Sequence, residues 1–184
     1  MRVISGLYGG RILKSPPDGK TRPTSDRLRE TLFNILSPVI TEQTRFLDLC
    51  AGTGAIGIEA VSRGVGFCTF VDKSRRACAL IEENLDFLKI PEKETEIVNL
   101  PAETFTGREH ETGWDIIFFD PPYDSNYAIV LHDFRQPGEK LLREDGRLIV
   151  EHHSKNGLPD TLGELRRWRL LKQGETCLSF YERN

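Results

Sequence analysis

Three carboxylates stand at or near the ends of short apolar runs: Asp48 in FLDLC (46–50), Asp72 in FCTFVD (67–72) and Asp120 in WDIIFFD (114–120). A glycine loop follows the first run, with Gly52, Gly54 and Gly57 in GxGxxG spacing before a helical pattern. Glycines placed between a strand and a helix let a ligand approach the backbone closely. Nicotinamide, flavin and S-adenosylmethionine sites all use such turns, and no GK[ST] follows, which excludes a P-loop. Asp72 comes 24 positions after Asp48, where a carboxylate can accept hydrogen bonds from both hydroxyls of a ribose. Asp48 lies four residues before the first glycine. A carboxylate there is a poor neighbour for a pyrophosphate at the helix N-terminus, but it suits the ammonium of an amino-acid-like ligand. The balance favours S-adenosylmethionine.

Asp120 opens Asp120-Pro121-Pro122-Tyr123. The exocyclic amines of nucleobases are poor nucleophiles because their lone pair is delocalised into the ring. A carboxylate and the Pro121 carbonyl could accept the amine hydrogens and direct that lone pair outward. Two prolines stiffen the loop and remove N–H donors that would oppose the amine. Tyr123 could stack on an extruded base, a contact worth about 1–3 kcal/mol. The carboxylate would also stabilise positive charge developing on nitrogen.

Alternating strand and helix patterns must position these groups. FLDLC, FCTFVD, TEIVNL (95–100), WDIIFFD and GRLIVEH read as strands, and the tail WRLLKQGETCLSFYE as two more turning at Gln173-Gly174. AIGIEAVSRG and SRRACALIEENLDFLKI, the latter capped by Ser74, read as helices, with another expected near 126–142. The result is an α/β doubly wound, Rossmann-like fold, with a mostly parallel seven-stranded sheet ending in an antiparallel hairpin. Ahead of it, VISGLYGGRIL suggests a glycine-interrupted hairpin and SPPDGK (15–20) a turn. Leu28, Leu32, Ile35 and Leu36 then mark an amphipathic helix from Thr24 or Ser25, stopped by Pro38. Residues 1–23 are expected to form a basic extension, and 24–184 the main domain.

Bulk composition excludes several classes. With 184 residues and 38% hydrophobic content, the chain supports one sizeable core. It shows neither a membrane span nor a signal sequence, so a cytoplasmic protein is expected. Four cysteines without a CxxC pair, and four histidines without ligand spacing, argue against a disulfide framework or a metal site. The net charge of −3 is unevenly spread: residues 1–30 hold seven cations against three carboxylates, a net of +4, leaving −7 for the rest. Such asymmetry suits an electrostatic footprint on one surface.

DLCAGTG, the Asp of FVDKS and DPPY together resemble a class I S-adenosylmethionine-dependent amino-methyltransferase. With RVISGLYGGRIL, TRPTSDRLRETLFNIL and GETCLSFY, nearly the whole chain resembles the bacterial small-subunit ribosomal RNA methyltransferase D family. That resemblance implies methyl transfer to N2 of a guanine in 16S ribosomal RNA, naked or in an assembling 30S subunit; nothing in the sequence suggests an obligate interface, so a monomer is expected. It assigns Asp120, Pro121, Pro122 and Tyr123 to catalysis. Asp48, Ala51, Gly52, Thr53, Gly54, Asp72 and Lys73 would bind the cofactor, joined by Ala102, although Pro101 departs from the family's usual polar residue there. Arg22 and Thr24 of the RPT motif, with Arg2 and Arg11, would meet RNA. The alternative is an adenine-N6 methyltransferase acting on DNA or RNA, since DPPY also serves those enzymes; the chain has no long target-recognition region. An oxidoreductase would leave DPPY unexplained, and a pure RNA-binding module would have no need of its carboxylate.

Overall fold

A computed structural model describes residues 1–15, 25–122, 125–136 and 140–183. The SPPDGK turn beyond Ser15, the expected boundary at residue 23, and Arg22, Thr24 and Tyr123 lie outside the described residues.

The strands are β1 (Arg45–Leu49), β2 (Phe67–Val71), β3 (Thr95–Val98), β4 (Trp114–Phe119), β5 (Leu142–His153), β6 (Thr161–Leu162), β7 (Leu165–Gln173) and β8 (Thr176–Arg183). They form one sheet in the order β3-β2-β1-β4-β5-β8-β7-β6. The first five are parallel and the last three join antiparallel. Among the described residues the sheet therefore has eight strands, one more than the sequence reading. The addition is β6, a two-residue pairing too short to carry any alternation.

The helices are α1 (Asp26–Leu36), α2 (Ala55–Ser62), α3 (Arg75–Leu88), α4 (Ala102–Thr106) and α5 (Tyr127–Asp133). Ser25 caps α1 by accepting from Leu28 N, and Ser74 caps α3 by accepting from Ala77 N. A 3₁₀ turn at Ser37–Val39 ends the first helix around Pro38. α5 stops at Asp133, well short of residue 142, ahead of Pro137-Gly138 in the sequence, and β5 begins at Leu142. Its early residues were obscured by the polar run RED, which crosses a register irregularity opposite Trp114 and Ile116.

Successive residues of the central strands alternate between two cores. Phe46, Phe70, Phe118 and Ile149 meet α1, α2 and α3 on one face. Leu47, Val71, Phe119 and Val150 meet α4 and α5 on the other. Instead of strands, the N-terminal segment forms a reversal with one bridge pair, Arg2 with Ile12. Glycines at 6, 9 and 10 weaken any longer ladder. The reversal is fixed to α2, where the buried Glu59 accepts from Ile4 N (2.7 Å) and Ser5 N (3.1 Å).

Candidate functional site

Chain order reverses between β1 and β4 in the parallel half of the sheet. Open α/β sheets bind ligands at such a switch point, beyond the carboxyl ends of the strands. The loops after these two strands are the glycine loop and Asp120-Pro121-Pro122. Both border one cavity of about 900 Å³, which Ala51, Gly52 and Thr53 share with Asp72, Lys73 and Ala102. The structure thus brings together, around one space, most of the positions singled out in the sequence.

The glycine loop owes its shape to backbone needs. Gly52 and Gly54 have φ of 56° and 75°, in the left-handed region that glycine enters without penalty. A Cβ at Gly52 would meet no atom closer than Cys50 O at 4.0 Å, so its absence leaves backbone open to the cavity. Gly57 serves another purpose: a Cβ there would stand 2.2 Å from the Phe70 ring and 2.8 Å from Cys68 Sγ. The third glycine lets α2 lie directly on β2.

The acids divide the work. Asp72 Oδ2 accepts from Gly52 N (2.9 Å) and Oδ1 from Ser74 N (2.8 Å). Each carboxylate oxygen keeps a second lone pair, so the half-buried side chain can hold the loop and still accept hydroxyls from a ligand. Asp48 is only 2% exposed and does not border the cavity. Its Oδ2 accepts from Gly57 N at 2.9 Å, which fixes the start of α2 from beneath. Burial, partly countered by that bond and reinforced by Asp72, pushes its pKa up to about 7. Asp48 therefore sits behind the loop where the sequence reading expected a direct contact with the ligand's ammonium.

Asp120 continues the ladder through its N–H to Leu49 O at 3.3 Å. Its carboxyl is held well above the ordinary carboxylate range by burial, then by Glu151 and Asp48. Ser125 N, just ahead of α5, donates to Pro122 O at 2.9 Å. Among the described residues nothing donates to the Pro121 carbonyl, so it stands as an acceptor beside Asp120. Cys50 borders the same space, but burial and the surrounding carboxylates push its thiol to about 12. Without a bound metal it stays protonated, and the thiol form is a poor nucleophile.

Two participants escaped the sequence reading. Glu151 on β5 borders the cavity and is 5% exposed; its signal was another acid ending an apolar run, RLIVE. Arg29 on α1 is fully buried against the cavity, its Nη2 donating to Arg2 O (2.7 Å) and Asp26 Oδ1 (2.8 Å). Arg29 reads as a surface cation in the charged pattern DRLRE, yet it belongs to the core. Of the expected RNA contacts, Arg2 and Arg11 are exposed, and Arg2 pairs with Asp26 at 3.2 Å. Met1, Ser25 and the Gln173-Gly174 turn flank the mouth of the cavity, with Gln173 Nε2 donating to Ser25 Oγ at 3.4 Å.

A family model described as "Conserved hypothetical protein 95" matches residues 1–182. A Bacillus subtilis relative named "Putative rRNA methyltransferase YlbH" is 37% identical over all of this chain and 99% of its own. Ribosomal RNA small subunit methyltransferase D of Escherichia coli is 33% identical, covering 100% of this chain and 90% of the relative. The solved structure "Putative methyltransferase yhhF from Escherichia coli" superposes with a TM-score of 0.88 at 31% identity, covering 100% and 98% of the two chains. The chain belongs to the conserved hypothetical protein 95 family, alongside the ribosomal RNA small subunit methyltransferase D proteins.

Proposed function

We propose that this protein transfers a methyl group from S-adenosylmethionine to the exocyclic N2 amine of a guanine in 16S ribosomal RNA. The observation that carries the reading is the shared cavity: Asp120-Pro121-Pro122 and the Gly52–Asp72 loop system border one space at the β1/β4 switch point. The residues present fit the cofactor, because Gly52 exposes backbone and Asp72 retains free lone pairs. Ala51, Gly52, Thr53 and Asp72 would hold it, with Lys73 and Ala102 at its edge and Asp48 acting through the loop it fixes. The cofactor would supply an electrophilic methyl group on a sulfonium.

The chain's own groups act on the substrate amine. Asp120 and the Pro121 carbonyl accept its two N–H bonds and turn the lone pair away from the base ring. Neither proline offers an N–H that would oppose the amine. As positive charge grows on nitrogen, the ionised Asp120 stabilises it, an effect typically worth about 10²–10³ in rate. The methylated amine is acidic enough to release its proton afterwards. Tyr123 would supply the stacking surface.

RNA binding is supported by β7 as well as by the N-terminal segment. Arg166, Arg169 and Lys172 are exposed and alternate with Trp168 and Leu170, a mixture of cations and apolar surface suited to RNA. The strand runs to Gln173 at the cavity mouth, about 13 Å from Arg169 at ordinary strand rise. The weakly acidic remainder of the protein need not touch RNA.

The test offers labelled S-adenosylmethionine with small ribosomal subunits from cells lacking this protein, naked 16S RNA and duplex DNA. Label entering subunits or 16S RNA supports the reading; label entering DNA alone refutes it.

A further inference from the structure

Four neighbouring parallel strands carry an acid within two residues of their carboxyl ends, and β5 supplies the fourth, Glu151. The β4–β5 register runs Phe118 with Ile149 and Phe119 with Val150, which brings Asp120 beside Glu151. Phe118 and Ile149 share one core and Phe119 and Val150 the other, so alternation directs Asp120 and Glu151 to the same face. Both border the cavity, and Glu151 is the first charged neighbour acting on Asp120. Two adjacent buried carboxyl groups hold each other's protons more tightly. A pair of acceptors side by side on the border of a cavity matches a ligand with contiguous donors.

We propose that Glu151 reads the N1–H of the target guanine while Asp120 takes the neighbouring N2 amine. This assignment rests on the function proposed above and names what selects its substrate. The chemistry of base edges points to guanine. Its Watson–Crick edge places the N1–H and N2–H donors side by side, matching two adjacent acceptors. Adenine sets its amine beside the N1 acceptor, and cytosine sets its amine beside the N3 acceptor; either would turn a lone pair toward Glu151. Uracil offers one N–H between two carbonyls. A site built to accept a hydrogen bond rejects an analogue lacking the donor far more strongly than an apolar pocket rejects a change of shape. Glu151 is thus a substrate-reading residue, and the Asp120-Pro121 acceptors alone would accept an adenine amine equally well.

The experiment uses small subunits reconstituted with 16S RNA carrying either guanosine or 2-aminopurine riboside at the target position. 2-Aminopurine keeps the N2 amine but has an acceptor at N1. Wild type, Glu151→Gln and Glu151→Ala are compared by the ratio of kcat/KM for the two RNAs, a ratio internal to each variant and so insensitive to its folded fraction. Wild type should favour guanosine by at least about 100-fold. In Glu151→Gln, whose amide can donate to N1, the ratio should fall at least tenfold; Glu151→Ala should fall between the two. Wild type that forms N2-methylguanosine with the same ratio in all three proteins would overturn the role of Glu151 alone. Wild type that forms N6-methyladenosine instead would overturn this assignment together with the proposed function.

Discussion

Replacing Asp72 by Asn separates two duties that the structure gives one carboxylate. Its oxygens accept from Gly52 N at 2.9 Å and Ser74 N at 2.8 Å. Asn offers a single acceptor oxygen, so one of these N–H groups must face the new NH₂. A hydrogen bond to a charged group contributes about 1.5–3 kcal/mol; because Asp72 is half-buried, stability should fall by about 1–2 kcal/mol. If the same carboxylate also accepts the cofactor's ribose hydroxyls, S-adenosylmethionine loses a further ~1.5–3 kcal/mol. At 1.4 kcal/mol per decade, that is about a 10- to 100-fold rise in Kd. Urea denaturation gives the first quantity and titration calorimetry the second. Asn99→Ala is the control, since Asn99 Nδ2 donates to the Asp72 carbonyl at 2.9 Å and its loss loosens the same turn while sparing the carboxylate. A Kd for Asp72→Asn no higher than that of Asn99→Ala would refute the ribose role and leave Asp72 as a loop anchor.

Other expectations follow from the same geometry. Gly57→Ala must displace Phe70 or α2 to relieve a 2.2 Å approach; overpacking should cost about 1–3 kcal/mol in urea denaturation and weaken cofactor binding, whereas Gly10→Ala, with nothing within 4 Å, should leave the cofactor Kd unchanged. Because the folded-state pKa of Asp48 is raised to about 7, the folded protein holds that proton more tightly than the unfolded chain, and this contribution is lost as pH rises from about 4 to 7. Asp48→Asn, still able to accept from Gly57 N, should gain on wild type across that window by at most about 4 kcal/mol, read from denaturation at each pH. Only an ionised Asp120 can stabilise the developing cation, and burial, Glu151 and Asp48 raise its pKa; kcat/KM should therefore fall with falling pH along a limb above the ordinary carboxylate range, and Glu151→Gln should move that limb to lower pH. Removing the charges of Arg166, Arg169 and Lys172 together should weaken RNA binding and flatten its salt dependence by about 0.7 for each phosphate no longer neutralised, with cofactor affinity unchanged.

The glycine-loop side of the cavity was legible because its requirements are local. Gly52 and Asp72 both border it from within one strand–loop–helix–strand unit, and Ser74 announces the next helix by a cap visible in the sequence. The role of Asp48 was less legible: spacing put it near the ligand, but only the fold shows Gly57 N above it and the cavity beyond the loop. Glu151 needed the β4–β5 register, which joins residues 31 positions apart, before an acid at the end of RLIVE could be seen beside Asp120. Arg29 escaped because helical charge patterns normally mark solvent, whereas here α1 packs against the start of the chain and buries the guanidinium beneath Arg2 O. β6 and the short α4 fell below the length at which periodicity says anything.

The most direct test of the proposed chemistry is the identity of the methylated nucleoside. Small subunits from cells lacking this protein are treated with S-adenosylmethionine and either wild type or Asp120→Ala, and the RNA is digested and analysed by mass spectrometry. The expected product is N2-methylguanosine with wild type, and a yield reduced about 10²–10³-fold with the variant. N6-methyladenosine, or N2-methylguanosine formed equally well without the Asp120 carboxylate, would contradict the proposed chemistry.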